Sequence, residues 1–558
     1  MDLPLRNSRS SGVLPQFVCD NSKYVFGVEK LKDNEREKLL ADESKLISVI
    51  EDSGTEAVLV SRRSMSCFEA FKDLHHKLLD DLDDPGVSSF LKFLDCWKPE
   101  TLLENPKIAE YKNDIFAGAN FVFECGGGYL HNDSAVRHAW EKYSSSESDC
   151  EMAQCLVSGE YGPVSKLHQK IKGVPGSNSA GAPLVSFNNK AFESYGKENC
   201  FNAPVSDSLM FEYSTVLNYL LASRKNRLRL ADTTAVFWAE TDDDACEDLA
   251  NFFFDPREVK EDESDPDQKV RDLKTLRLVG DILKKVKTGQ KIKSKDIGAD
   301  SEANFCILGL SPNNARLAIR FWYQDSFGNF VERLSRHHLD MEIVRDDSGP
   351  GYISLYRLLN ETVPKSSESK EVSPILGGLI MRSILNDTVY PVQMYNAILN
   401  RVKVERSINY VRAGFIKAYL LRLARSGSGN LNEDLITVSL NEDSLSVPYR
   451  LGRLFAVLEK VQGETNKNMK STINSKYFSS AATTPAVVFP VLLKLGQHHI
   501  AKSDWGFVSS KLIEEILSGV DNFPEYLNLE DQGMFMLGYY HQRKDFFRKK
   551  ENNPVKEE

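Results

Sequence analysis

Five lysines, Lys166, Lys170, Lys172, Lys190 and Lys197, fall between Gly162 and Pro204 against two glutamates, Glu193 and Glu198. The same stretch holds five Gly and five Asn. Lysine ammonium groups neutralise phosphates, and an Asn carboxamide pairs a donor with an acceptor, the combination that reads a base edge or holds a phosphate. Glycine lets the backbone come close to a ligand. An anionic partner would fit this composition. A long surface loop joining two elements would share it.

Three other places carry residue types with chemistry. The run NFVFECGGGYL ends a β-like segment on Gly126 to Gly128, which could cradle a phosphate, but no GK[ST] or GxGxxG follows, so a tight turn is expected. The acidic segment TDDDACEDLANFFFDPREVKEDESDPDQ starts at Thr241 and crowds Asp242 to Asp244 together. Those carboxylates could serve a metal-dependent nuclease, yet they lack an orienting His or EF-hand spacing. A solvated linker is the expected reading. In RLAIRFW, strand alternation puts Arg316, Ala318, Arg320 and Trp322 on one face and Leu317, Ile319 and Phe321 on the other. Guanidinium beside indole suits backbone neutralisation with base stacking, or equally a protein-covered sheet edge.

The elements around these residues divide by pattern. From Tyr24 to about Leu79, apolar residues recur at helical spacing. SAVRHAWEKY reads as a helix. EYSTVLNYLLASR reads as another, burying Leu217, Leu220 and Leu221, and TTAVFWAE as a strand. NFCILGLSPNNARLAIRFWYQ reads as a β-hairpin. From about Pro374 onward the pattern is helical, with one stripe through Ile408, Val411, Phe415, Ala418 and Tyr419 and another through Leu451, Leu454, Phe455, Leu458 and Val461. Basic residues lie mainly off these stripes, so a charged outer face is expected around Arg412 and Lys417. The fold class expected is α+β: a mixed α/β N-terminal part and a largely helical C-terminal bundle. The regions are 1–245, an acidic connection 246–300, a hairpin-containing part 301–375 and the helical domain 376–558.

The net charge of −10 excludes a simple polycation that coats nucleic acid, without excluding a local basic groove. Nine Cys without a CxxC pair argue for reduced thiols and against a disulfide framework or structural zinc. No secretory signal follows MDLPLRNSRSSG, and the apolar run Ala486 to Leu495, broken by Pro490 and Lys494, is about half the length that spans a bilayer. A cytoplasmic protein without membrane contact or cofactor is expected.

Five runs occur together and in order: GVPGSNSAGAPLVSFNNKAFESYGKENCFNAPVS, ILGLSPNNARLAIRFW, YRLGRLFAVLEKVQ, YFSSAATTPAVVFPVLLKLGQHH and LEDQGMFMLGYYHQR. They resemble the large subunit of the type I-C (Dvulg subtype) CRISPR Cascade surveillance complex, from about Asn21 to Phe547. Family members usually carry a longer segment ahead of DNSKYVFG. Here nineteen residues precede Asp20.

The resemblance implies a non-enzymatic bacterial subunit that reads the protospacer-adjacent motif in duplex DNA, starts strand separation and helps stabilise the R-loop. Guide RNA would read the target itself. The implied partners are guide RNA, target DNA, the other backbone and small subunits, and a helicase-nuclease recruited on target binding. Lys170 and Lys172 would neutralise phosphates, and Ser177, Asn178, Asn188 and Asn189 would approach base edges, with Lys190, Tyr195 and Lys197 completing the DNA-binding set. Arg316, Arg320, Trp322, Arg412 and Lys417 would hold strand backbone. The part from about Asn430 resembles the separate small subunit of such complexes. A structural scaffold without DNA contact is the remaining alternative.

Overall fold

The computed structural model describes residues 13, 15–30, 46–51, 57–146, 151–242, 244–254, 266–345, 352–365, 371–428, 431–465, 472–503 and 506–547. The chain forms two compact units, 1–170 with 185–216, and 171–184 with 217–558. The boundary therefore departs from the linear order of regions expected from sequence: the chain enters the second unit at Ile171, leaves after Leu184 and returns at Leu217.

In the first unit, Glu29–Lys30 (β1), Leu46–Glu51 (β2) and Ala57–Ser61 (β3) form an antiparallel sheet in the order β1-β3-β2. The helical spacing expected across Tyr24 to Leu79 fails over these strands, because LISVIE and AVLVS are short and β-branched, which favours a pleated surface. Helix Arg62–Leu79 (α1) starts where Ser61 ends the sheet. The Ser61 hydroxyl accepts from the Ser64 amide at 3.0 Å, and Ser64 Oγ accepts from the Ser61 amide at 2.9 Å, closing a capping box. Phe68 and Phe71 of α1 share a core with Phe90 and Leu94 of Pro85–Cys96 (α2) and Val136 of Ser134–Ser146 (α3). Gly126 and Gly127 sit at φ of 64° and 84° between the paired strands Glu124–Cys125 and Gly128–Tyr129. Two consecutive left-handed residues make the hairpin turn that the triple glycine permits.

Helix Asp207–Ala222 (α4) crosses the boundary between the units. In the second unit, Arg227–Leu230 (β4), Thr233–Ala239 (β5), Asn304–Asn313 (β6) and Arg316–Ser326 (β7) form an antiparallel meander. Ala245–Phe254 (α5) and Phe327–Asp340 (α7) share one core with this sheet: the Phe254 ring packs tilted at 5.4 Å from Phe237, and Phe330 tilted at 4.5 Å from Phe305. The acidic segment is therefore not an exposed connection throughout. Its middle, CEDLANFFF, is a helix buried on nearly every side: Cys246, Leu249, Ala250, Phe252, Phe253 and Phe254 are all covered, and Asp248 alone within this run is exposed. Asp243 and the part from 255 to 265 lie outside the described residues. Helix Pro266–Lys287 (α6) follows.

The helical C-terminal part contains Pro374–Leu385 (α8), Val392–Glu405 (α9), Tyr410–Arg425 (α10), Val447–Thr465 (α11), Ile473–Ala481 (α12), Pro485–Ile500 (α13), Gly506–Leu517 (α14) and Leu529–Asp545 (α15). Both expected stripes are buried apart from Ile408, which is partly covered. Together the sheets and bundle make the fold α+β. Helices α11 and α15 meet backbone to backbone. A Cβ at Gly452 would lie 2.0 Å from the Phe535 carbonyl oxygen, and one at Gly538 2.0 Å from that of Tyr449.

Candidate nucleic-acid interface

The lysine-rich stretch is divided between the units, and each part has its own scaffold. In the first unit, residues 185–204 fold back as a small hairpin. Ser194 and Lys197 form a β-bridge, and the Lys197 amide donates to the Ser194 carbonyl at 3.0 Å. The two residues between them, Tyr195 and Gly196, both have positive φ, 54° and 71°. A non-glycine residue there costs about 1–2 kcal/mol, so something must hold it. Asn202 is the clamp: its Oδ1 accepts from the Ser194 amide at 2.8 Å, while Nδ2 donates to the carbonyls of Lys197 and Asn199 at 2.7 and 2.9 Å. The Tyr195 ring at the tip is 101% exposed. Lys190 and Lys197 flank it, and Asn188 and Asn189 are exposed with side-chain amides that bond to no described residue.

In the second unit, residues 171–184 form a closed loop. Ile171 and Ala182 pair through reciprocal 3.0 Å backbone bonds, and both are buried. The Lys172 amide donates to Asn218 Oδ1 at 2.8 Å, which leaves the Lys172 side chain exposed. Gly176, at φ 84°, lets the backbone pass Pro312, where a Cβ would come within 3.1 Å of the ring. The Leu317 amide donates to the Pro183 carbonyl at 3.0 Å, tying the loop to β7. Two of the expected base readers maintain this turn. Ser177 Oγ donates to the Val174 carbonyl at 2.7 Å, and Asn178 Oδ1 accepts from the Ala180 amide at 3.1 Å. Lys170, in the first unit, is exposed.

On β7 the expected two-faced alternation fails at a bulge. Gly309 pairs with Phe321 but Leu310 with Ile319, so Arg320 is the extra residue. Ile319 is consequently exposed rather than grouped with buried Leu317 and Phe321. Arg320 Nη2 donates to Asp232 at 3.1 Å, beside the close approach of Gly378 on α8. Trp322 remains half-exposed and packs at 5.7 Å against Trp238 of β5. Arg316 is partly exposed at the hairpin turn.

Arg412 and Lys417 correct the expectation of a charged outer face. They are 1% and 2% exposed. Arg412 ion-pairs with Glu361 at 2.6 Å and Glu405 at 2.8 Å, and Lys417 Nζ donates to the Asp340 carbonyl at 2.8 Å. Burial pulls the Lys417 ammonium down to about 8. Asp340 also bonds Arg422 and Arg425 at 2.8 and 2.7 Å. These cations neutralise buried carboxylates and helix-end carbonyls, and no strand can reach Arg412 or Lys417 in this arrangement. Helical periodicity hides this, because a long basic side chain off the main apolar stripe faces water in a surface helix but a buried carboxylate or carbonyl in a helix covered on all sides.

The family model described as CRISPR-associated protein (Cas_Csd1) matches residues 1–547. The chain belongs to that family. A comparison with curated proteins gives no match.

In this Cas_Csd1 protein, Asp244 and Asp248 lie 3.2 and 3.5 Å from the Lys225 ammonium, and the Glu247 carboxylate accepts from the Ala239 amide at 2.8 Å. Among the described residues no three His, Cys, Asp or Glu side chains group to hold a metal ion, and no helix is long and apolar enough to cross a membrane. Sequence reasoning missed two positioning residues, Asn202 and Trp238. Asn202 carries no local signal, whereas Trp238 was visible as the aromatic near the end of the strand TTAVFWA.

Proposed function

We propose that this chain is the non-catalytic large subunit of a guide-RNA-directed antiviral complex of the Cascade type, and that the 185–204 hairpin reads the short motif beside the target in duplex DNA. The supporting observation is Tyr195, a fully exposed ring held at positive φ between two lysines. Strain persists in a fold where the surroundings enforce it and function uses it. A ring that packs on no described residue and is presented on an anchored tip is suited to stack on a base or wedge between base steps, while Lys190 and Lys197 neutralise flanking phosphates. Asn188 and Asn189 supply donor–acceptor pairs for base edges.

On this reading the wedge begins strand separation, and Lys172 together with Trp322 and Arg316 supports the opened strands. Guide RNA supplies target sequence, and backbone and small subunits and a recruited helicase-nuclease complete the system. The deciding experiment compares binding to a duplex carrying the motif with binding to the same target pre-opened as a bubble. Tyr195→Ala and the double change Asn188→Ala with Asn189→Ala should weaken duplex binding at least tenfold and spare the bubble. Equal loss on both substrates would reassign the hairpin to general strand holding. The absence of catalysis is tested separately: cutting of labelled DNA with magnesium or manganese, lost in Asp244→Ala, would overturn it.

A further inference from the structure

We infer that the turn after α6 is a second, sequence-independent site for a nucleic-acid phosphodiester backbone. The site lies in the region 246–300 that composition marks as acidic. Six lysines, Lys284, Lys285, Lys287, Lys291, Lys293 and Lys295, fall between Lys284 and Lys295 with no Asp or Glu among them. In a chain of net charge −10, such a run makes a local positive potential that the sum conceals.

The structure separates the six into two groups. Lys284 pairs with Asp281 at 3.6 Å, Lys287 with Glu342 at 3.2 Å, and Lys285 with Asp296. Of these, the Lys285–Asp296 pair spans the turn and Lys287 ties the end of α6 to Glu342, whereas Lys284 pairs within α6 itself. Lys291, Lys293 and Lys295 are exposed and form no ion pair with a described residue. The segment carrying them is pinned rather than trailing: Ile297 is buried, and Val286 and Ile292 pack on the main core. Ser294 Oγ accepts from the Ser301 amide at 3.0 Å. Alternation around Ile292 turns Lys291 and Lys293 outward from an anchored backbone.

The chemistry favours phosphate over a carboxylate-bearing protein. The outward group contains no Arg fork for bidentate carboxylate recognition and no exposed aromatic or aliphatic anchor of the kind that carries protein interfaces. Lysine point charges on long stems suit an evenly charged polymer whose phosphates pass in no fixed register. The ligand class rests on the proposed nucleic-acid function, whereas the site and its independence of sequence do not follow from the hairpin.

The test uses the full-length chain and fluorescence anisotropy with three probes, a single-stranded DNA, a motif-free duplex and an RNA, each between 50 and 200 mM salt. Each phosphate contact contributes about 0.7–0.9 to the slope of log K against log salt, so three contribute about 2–3. The triple change K291Q/K293Q/K295Q should shallow the slope by that amount on the preferred probe. The affinity gap from the unaltered chain should then shrink about 20- to 40-fold across the salt range. The ratio of motif-duplex to bubble binding should stay unchanged. An unaltered slope on all three probes overturns the inference, as does an unaltered chain that binds none of them. Loss of affinity only for a polyglutamate competitor would instead assign the surface to an acidic protein. Because the three side chains are exposed, the melting curve of the triple variant should match that of the unaltered chain. If the hairpin variants leave the duplex-to-bubble ratio intact while the slope changes, motif reading fails and this site stands.

Discussion

Tyr195 makes the cost and use of one residue separable. Its ring contributes no packing and its backbone carries left-handed strain, so Tyr195→Asn should leave stability unchanged or raise it by up to about 1 kcal/mol. Chemical denaturation would measure that, and the same variant should still lose duplex preference. A drop in stability would show that the ring packs after all. Asp340 is the opposite case, buried and bonded to Arg422 and Arg425. Asp340→Ala strands two guanidinium groups and should cost about 3–5 kcal/mol in denaturant titration. Histidines give a pH signature. Burial pushes His75 and His338 down to about 4 and His541 to about 3, so these rings stay neutral in the fold while the unfolded chain protonates near 6.5. Their contribution is complete above pH 6.5 and is lost as pH falls toward 4. Each ring steepens the decline by up to about 1.4 kcal/mol per pH unit. Stability that is flat from pH 7 to 4.5 would contradict their neutral burial.

At the scale of elements, legibility followed periodicity. Helices α3 and α4, strand β5 and the β6–β7 hairpin were readable because their apolar residues repeat at one period and turn residues close them. Leu217, Leu220 and Leu221 are buried as that spacing requires. Helix α5 was hidden by charge at both flanks, and the β7 bulge by the fact that an extra residue leaves no mark in alternation. The candidate site was legible in composition but not in geometry. Lysines and asparagines declared a polar, cation-bearing loop, while the Asn202 clamp depends on hydrogen bonds no spacing rule encodes. The crossing of α11 and α15 was equally invisible, since glycine inside a helix reads only as a weak residue. Gly452→Ala and Gly538→Ala should each destabilise by about 1–3 kcal/mol or more, as the helices must part to admit a methyl group. Thermal melting would show it, and a neutral result would mean that the crossing relaxes freely.

For the molecule as a whole, net charge was a poor guide to partners. An acidic total coexists with exposed lysines at 166–197 and 284–295, while seven basic residues between Arg401 and Arg425 include Arg412, Lys417 and Arg422 deep in the core. Counting charge along the chain could not distinguish these uses, because a cation buried beside a carboxylate and one facing water have the same sequence signature.

The passage of residues 171–184 into the second unit also orders events during synthesis. Pro312 and Leu317, which receive Gly176 and Pro183, are made about 135 residues later, about 7 to 27 s of translation at ordinary ribosome speeds. Until then the segment has no sheet to join, while the first unit cannot close before residue 216 emerges. The loop from Lys172 to Gly181 is thus among the earliest-made pieces of its unit, yet it joins the sheet only when the β6–β7 hairpin has emerged, and during that interval a chaperone or a protease can reach it on the nascent chain.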